Sequence, residues 1–256
     1  MKKIFAMAAL ALLTISGLTA QNTFKGIVKY KVESTGQVAM TIPEEAATAE
    51  IKVSGNDMYT KSAIFTNSPF TECVLVQNLT RTSCEDYGQL LAYLRSQDFE
   101  FTYQGAGKLL VESTAKAEDF DSLEIVDTEA GHFYYEYVAG ETKTIAGYTA
   151  KKVVRHLYDE DGVDHPMVMW YSDEIGPQLN ILFSGIKGMP LECTMDAGDG
   201  RAITYTATEI VKGKVKETDF LLPDGYEVLS EQDLETLGTE LQEAMELLQD
   251  WSQGCP

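Results

Sequence analysis

The sequence predicts a mainly β fold of the α+β class, in which one antiparallel sheet is accompanied by a few helices, including one at the C-terminal end. Strand-like runs recur along most of the chain and are separated by turn signals, such as DEDG at residues 159–162 and DAGDG at residues 196–200. The connections between these runs are shorter than the crossover of about a dozen residues that parallel neighbours require. An antiparallel meander is therefore expected, and 44% apolar residues suffice for a substantial core.

The individual strands follow from the alternation of apolar and polar residues. The stretch FKGIVKYKV, residues 24–32, places Val28, Tyr30 and Val32 on one face and mainly lysines on the other, which is typical of a half-buried strand. The stretch AEIKVSGNDMYTKSAIF, residues 49–65, has Ser-Gly-Asn-Asp at its centre and predicts a hairpin. Further strands are predicted at residues 74–78, 123–126, 133–137, 150–158, 168–171, 191–195 and 201–211.

Two helices are predicted, and both are peripheral. In EDYGQLLAYL, residues 85–94, the leucine spacing suits a short amphipathic helix, although Gly88 is unfavourable there. Near the C-terminal end, Ser230 and Asp233 resemble a capping box. A stripe at spacings of three and four residues then predicts a helix that docks onto its own domain: Leu234, Leu237, Leu241, Ala244, Leu248 and Trp251. We therefore expect an antiparallel β domain at residues 21–229 and a C-terminal helix and tail at residues 230–256.

The N-terminal residues predict export. MKKIFAMAALALLTISGLTAQ combines two lysines, an apolar run and small residues, which is the pattern of a secretory signal peptide at residues 1–20 with cleavage after Ala20. A membrane anchor is the alternative, but the apolar run is short for a span of about 20 residues. The first cysteine is Cys73, so a lipid-anchored lipoprotein is not expected. The mature chain is expected in the periplasm, or otherwise exported, without a transmembrane segment.

The charge of the chain argues against polyanionic partners. The formal net charge is −20, and removal of residues 1–20 with their two lysines would make it −22. Binding to a phosphate backbone or an anionic membrane surface requires clustered cations. Nucleic acid is therefore not an expected partner.

Export makes a disulfide between Cys73 and Cys84 plausible, since they flank a turn-like stretch, CVLVQNLTRTSC. The alternative is two free, partly buried thiols. Cys193 lies in an apolar strand-like run and Cys255 lies one residue from the end, so a second pair is conceivable without local support. The chain has no Cys-x-x-Cys pattern, which argues against a thiol oxidoreductase and a zinc cluster.

Catalytic and metal-binding patterns are missing from the sequence. His132, His156 and His165 stand apart, and neither a Gly-x-Ser-x-Gly elbow nor a phosphate-binding glycine loop is present. DEDGVDH spaces three aspartates like calcium ligands, but the EF-hand pattern would then require oxygen ligands where Val163 and Trp170 stand. A solvated hairpin tip explains the same residues. We expect no enzyme activity, no cofactor and no metal.

Aromatic residues are the better functional lead. They bunch in HFYYEYV at residues 132–138 and in MVMWYSDEIG at residues 167–176. In a strand, Phe133, Tyr135 and Tyr137 would share one face and Tyr134 would take the other. Such a sheet could line a cavity or groove on one side, whereas the simpler interpretation is an ordinary core with tyrosines at its rim.

Several stretches, taken in order, resemble a known family. FKGIVKYKV, ETKTIAGYTAKKVV, MVMWYSDEIG, GMPLECTM and ATEIVKGKVKETDFLLPDGYEVLS are similar to domain-of-unknown-function family 4412, a family of exported Gram-negative proteins. The resemblance runs from about Phe24 to Ser230. A neighbouring family, named for its Gly-Leu-Pro-Gly-Leu-Ile motif, is echoed by SGIKGMPLE, which departs from that motif.

This resemblance implies a fold like that of periplasmic lipoprotein carriers, an incomplete antiparallel barrel or curved sheet around an apolar cavity. It supplies no catalytic residues. A concave apolar face can shelter an acyl chain from water, which suggests a non-catalytic binder or carrier of a hydrophobic ligand such as a lipid or lipoprotein acyl group. The candidate ligand contacts are Tyr135, Tyr148, Trp170 and Phe183.

A second function remains open, namely an envelope module that docks a protein partner and holds no small ligand. A further hypothesis is O-glycosylation at Ser122, which lies in an Asp-Ser-Leu pattern. The most basic short run after the leader, ETKTIAGYTAKKVVRH at residues 141–156, is interpreted structurally. Gly147 should permit a bend, and the adjacent Lys151 and Lys152 should point to opposite faces rather than form one anion-binding patch.

Overall fold

The structure is a computed structural model of the chain. It describes residues 24–62, 70–77, 80–114, 126–128, 131–159, 161–175, 186–198 and 200–253. The predicted signal peptide, Ser122, Phe183 and Cys255 lie outside the described residues.

The described strands form one large sheet made of two meanders. The first consists of β1 (Lys25–Ser34), β2 (Thr48–Ser54), β3 (Asp57–Thr60), β4 (Thr71–Gln77), β5 (Thr80–Asp86) and β6 (Lys108–Thr114). The second consists of β7 (Val126–Thr128), β8 (Gly131–Ile145), β9 (Tyr148–Tyr158), β10 (Met167–Ser172), β11 (Met189–Gly198) and β12 (Arg201–Lys212). A short strand, β13 (Glu227–Val228), and two helices, α1 (Gly88–Ser96) and α2 (Glu231–Gln253), complete these elements.

The two meanders are joined by antiparallel pairing of β1 with β12, in which Gly26 lies opposite Lys212 and Ser34 opposite Ile203. The sheet therefore runs β13-β6-β5-β4-β3-β2-β1-β12-β11-β10-β9-β8-β7. The predicted mainly β fold with a C-terminal helix is confirmed.

One pairing differs from the prediction of a purely antiparallel sheet. β13 pairs with β6 in parallel, with Glu227 opposite Leu109. The prediction rested on short connections between neighbouring strands. It was wrong here because the whole second meander separates β6 from β13 in the sequence, so the chain has ample length to return in the same direction.

The sheet is strongly curved. β8 contacts β12 although β9, β10 and β11 lie between them in the sheet. The main core lies on one face and draws fully buried residues from both meanders, including Val28, Ile51, Val74, Val153 and Met169. Removing this apolar surface from water, at roughly 25 cal/mol per Å², favours the curling of the sheet around its core. We call the face that carries these residues the inner face and the opposite one the outer face.

The outer face of the first meander is covered by the chain that follows β12. There Phe220 packs against a cluster that includes Tyr59 and Leu75. The two helices pack together with β6 through a further cluster that includes Leu91, Leu109 and Leu237. The predicted docking of the C-terminal helix is thereby confirmed. The hydroxyl of Ser230 accepts a 3.1 Å hydrogen bond from the Asp233 N–H, as the capping pattern indicated.

The described cysteines have two different environments. Cys73 and Cys84 stand directly opposite each other on β4 and β5, 5.2 Å apart between Cα atoms, and form a disulfide. Cys193 is a free thiol buried on the inner face. Burial raises its pKa to about 12, so it is neither ionised nor reactive at physiological pH.

Candidate ligand-binding site

A row of aromatic rings lies on the inner face near the β8 side of the sheet. Phe133, Tyr135 and Tyr137 alternate along β8 and share this face, as predicted, with consecutive ring centroids 5.8 and 6.5 Å apart. Tyr171 of β10 continues the row edge-to-face, 5.5 Å from Tyr137. These separations are in the range in which aromatic rings attract each other. We call these four residues the aromatic row.

A wide bulge in β8 opens a groove at the end of this row. Tyr137 pairs with Val153 and Thr142 pairs with Lys151, so residues 138–141 stand opposite a single residue of β9. Extra residues of this kind interrupt the strand ladder and bend the strand. The groove has a volume of about 310 Å³, at the lower end of the range of about 300–1,000 Å³ typical of small-molecule sites. Its lining comprises Tyr137, Tyr171, residues 138–142, Lys151 and Lys152.

The two lysines at the groove are already engaged by carboxylates. Lys151 forms an ion pair with Asp173, and the ammonium of Lys152 lies 2.9 Å from the carboxylate of Glu141. Both border the same groove because the bulge separates β8 from β9 there. Each lysine has its own acidic partner, so the pair does not present a free anion-binding patch.

Tyr148 lies at the start of β9, directly after the predicted bend. The turn consists of Ala146 and Gly147, whose φ angles are 48° and 84°, the left-handed geometry of a two-residue hairpin. The Tyr148 ring packs edge-on against Phe24 at 6.4 Å and lies beneath the ammonium of Lys212 at 5.2 Å. Its hydroxyl is buried and has no hydrogen-bond partner within the described part of the chain. The structure therefore places Tyr148 at the rim of the main core rather than in the groove lining.

Trp170 occupies a different position from the aromatic row. Its indole is half-buried and packs against the main core, and it alternates along β10 with the buried Met169 and Tyr171. The ammonium of Lys143 lies 4.4 Å from the ring centroid and 2.6 Å from the Glu192 carboxylate. The structure thus brings Tyr135, but not Trp170, into the aromatic row. The roles of Tyr135, Tyr148, Trp170 and Phe183 as ligand contacts stay predictions.

The tyrosines of the row are neutral at physiological pH. Burial raises the pKa of Tyr135 well above its ordinary value and raises the pKa of Tyr137 to about 12. The Tyr137 hydroxyl also accepts a 3.2 Å hydrogen bond from the backbone N–H of Lys187. The row therefore offers an apolar surface with neutral hydroxyl groups rather than an acid or base.

The opposite face of the same strands carries an acidic cluster bound to a histidine. His156 Nδ1 lies 2.7 Å from the Asp164 carboxylate and Nε2 lies 3.2 Å from that of Glu136, while the ring stacks on Tyr134 at 4.8 Å. Burial lowers the pKa of His156, but the hydrogen bonds to the two carboxylates outweigh it and raise the pKa overall. Glu136 and Asp164 thus lie on the outer face, away from the aromatic row.

Arg155, which was not among the predicted site residues, lies on the inner face beside the aromatic row. It stands opposite Tyr135 on β8 and opposite Met167 on β10, and its guanidinium carbon lies 4.5 Å from the centroid of the Phe133 ring. The signal was present in the sequence, because Arg155 follows Val153 by two residues in a strand and must share its face.

The aspartate-rich connection between β9 and β10 forms a turn. One carboxylate oxygen of Asp159 accepts the backbone N–H groups of Asp161 and Val163 at 3.0 and 2.9 Å, and the other lies 2.8 Å from His165. These contacts agree with the hairpin-tip interpretation. Among the residues that the structure describes, His, Cys, Asp and Glu form no group of three or more suited to a metal ion. No described helix is both long and apolar enough to span a membrane.

Comparison with known proteins gives only distant likenesses. The sequence matches no protein-family model and no curated protein. The lipoprotein LppX of Mycobacterium tuberculosis is similar in structure, with 12% sequence identity over 73% of this chain and 87% of LppX, at a TM-score of 0.26. A LolA superfamily protein from Nitrosomonas europaea has 12% identity over 79% of this chain and 91% of its own, at a TM-score of 0.31. At these TM-scores, no statement about the fold or the function of this chain rests on either likeness.

Proposed function

We propose that the protein is an exported, non-catalytic binder or carrier of a hydrophobic ligand, such as a lipid or a lipoprotein acyl chain. The observation that carries this proposal is the aromatic row on the inner face, which ends at a groove of about 310 Å³. Aromatic rings supply large, rigid apolar walls, and small-molecule sites are typically concave and mainly apolar.

Access to the row supports this function. Phe133 and Tyr137 are half-buried, whereas Tyr135 between them is buried. A ligand that covers the exposed parts of these rings would remove apolar surface from water, a gain of roughly 25 cal/mol per Å². The bulge supplies the opening, since residues 138–141 leave the regular ladder where Tyr137 and Tyr171 border the groove.

Two features support an exported location. Residues 1–20 have the pattern of a signal peptide, and the disulfide between Cys73 and Cys84 suits an oxidising compartment. Within the proposed function, the chain would meet its ligand in the periplasm or beyond.

Displacement of a neutral fluorescent probe tests the proposal. N-phenyl-naphthylamine should gain fluorescence on binding the purified mature chain and lose it when neutral amphiphiles of increasing chain length are added. Replacement of Tyr137 by alanine removes one wall of the groove and should weaken probe binding by about 1 kcal/mol, or about fivefold. The matched control is Tyr93→Ala, since Tyr93 of α1 is 54% exposed and belongs to neither the row nor the groove lining.

Equal weakening by both substitutions would show that the groove is not the binding site. Failure of every probe to bind would count against a ligand carrier. It would favour the alternative function, an envelope module that docks a protein partner.

A further inference from the structure

Arg155 is a charged residue set among apolar and aromatic side chains. Its cross-strand neighbours are Tyr135 and Met167, and Val153 precedes it on the same face of β9. The guanidinium stacks over the ring of Phe133, 4.5 Å from its centroid. Burial raises the pKa of Tyr135, and the positive charge of Arg155 partly offsets that rise, so the charge acts on the aromatic row.

Within the described part of the chain, this guanidinium has no acidic partner. Its Nε is buried and makes no hydrogen bond, and no carboxylate of the described residues lies within 4.0 Å of its nitrogens. The other three cations of the basic run 141–156 each have an acidic partner: Lys143 with Glu192, Lys151 with Asp173 and Lys152 with Glu141.

Two acidic groups of the neighbouring elements lie on the other side of the sheet from Arg155. Glu136 and Asp164 are both bound to His156 on the outer face. A chain with 40 acidic and 20 basic residues has many carboxylates with which to neutralise an arginine. Leaving a half-buried guanidinium unpaired is unfavourable, because a polar group without a partner loses its hydration without compensation.

We propose that Arg155 binds the anionic head of the ligand, so that the ligand class is an amphiphile with a carboxylate head and an apolar chain. This inference rests on the proposed function and makes it more specific. An arginine presents parallel N–H donors in a planar fork that matches the two oxygens of a carboxylate.

The aromatic row provides the path for the chain of the amphiphile. Phe133 lies beneath the guanidinium, and residues two apart on a strand are separated by roughly 7 Å. The row therefore leads from Arg155 past Tyr135 to Tyr137 and Tyr171, where the groove begins. The head would lie at Arg155 and the end of the chain in the groove.

Matched amphiphiles that differ only in their heads provide the test. Dodecanoate and dodecanol would each displace N-phenyl-naphthylamine from the wild-type chain, with acetate as a free carboxylate lacking the chain. We expect dodecanoate to act at a concentration at least about tenfold lower than dodecanol, since hydrogen bonds to charged groups contribute on that scale. This preference would run against the net charge of −20, which repels anions in general.

Three variants test whether the preference for dodecanoate depends on Arg155. Arg155→Gln should abolish the advantage of dodecanoate and leave dodecanol binding nearly unchanged. Lys31→Gln makes the same charge change on β1, where Lys31 is exposed and paired with Glu33, and should retain the advantage. Arg155→Lys keeps the charge without the fork and should retain only part of it. If Arg155→Gln does not fold, the comparison of dodecanoate with dodecanol on the wild-type chain decides whether the site prefers a carboxylate head.

The outcomes separate this inference from the proposed function. Equal displacement by dodecanoate and dodecanol would overturn the role of Arg155 and leave the hydrophobic binder intact. Displacement by acetate at the same concentration as dodecanoate would indicate a simple anion site and would also overturn the inference. Displacement by none of the amphiphiles would overturn the proposed function itself.

Discussion

Reduction of the disulfide between Cys73 and Cys84 should lower the free energy of unfolding. The size of this loss follows from the length of the loop that the bridge closes. The two cysteines are separated by 11 residues in the sequence. Closing a loop of this length removes about 9 cal/mol/K of entropy from the unfolded chain, or roughly 2.8 kcal/mol near room temperature. Both side chains are buried between β4 and β5, and reduction leaves every heavy atom of the folded core present.

Urea titration of the oxidised and reduced chains would measure this difference, with reduction carried out in the unfolded state so that the buried bond is accessible. Denaturant slopes of about 3 kcal/mol per M predict a shift of the midpoint by roughly 1 M. A Cys193→Ala variant is the control and should show the same difference, because Cys193 is a free thiol. Identical midpoints for the oxidised and reduced chains would refute the assignment of this stabilisation to the bridge.

The remaining predictions concern the β8–β9 hairpin, α2 and the outer face. Gly147→Ala should lower stability by about 1–2 kcal/mol because φ is 84°, whereas Gly238→Ala in α2 should raise it by about 1 kcal/mol. A Cβ at either position would meet no described atom within 4 Å, so the two substitutions differ only in the backbone conformation that alanine must adopt. Urea titrations of both variants would measure the effect, and equal changes in stability would contradict this explanation. The pKa of His156 is raised in the folded state, so its stabilising contacts with Asp164 and Glu136 are fully present below the unfolded-state pKa of about 6.5 and are lost as pH rises through the folded-state value. Urea midpoints measured across that pH range should fall in the wild type more than in His156→Gln, and parallel curves would disprove the assignment.

Strands with one buried face could be predicted from the sequence. β1 alternates apolar and polar residues because one face meets the core and the other meets water. β5 was not predicted, because its sequence, TRTSCED, is mostly polar. Its place in the sheet depends on pairing with β4 on one side and β6 on the other. The pairing of β1 with β12 joins residues from opposite ends of the domain, and such contacts depend on packing that local patterns do not encode.

The candidate site was predictable to a similar extent. Alternation placed Phe133, Tyr135 and Tyr137 on one face, because a two-residue period requires it. The groove was not predicted, since residues 138–141, which form the bulge in β8, have no distinctive sequence signal beyond Gly140. The sequence position of Arg155 shows which face of β9 it occupies. It does not show that the guanidinium has no acidic partner among the described residues, because that depends on the three-dimensional arrangement.

The central claim is that the inner face holds a hydrophobic ligand. Native mass spectrometry of the chain, purified without detergent from its own host cell, tests this claim. We expect a second species that is heavier than the unmodified chain by one lipid-sized molecule. The extra molecule should be released when the ions are activated, and the heavier species should be depleted in Tyr137→Ala. A spectrum with the unmodified chain alone, combined with no uptake of added amphiphiles of any chain length, would contradict it.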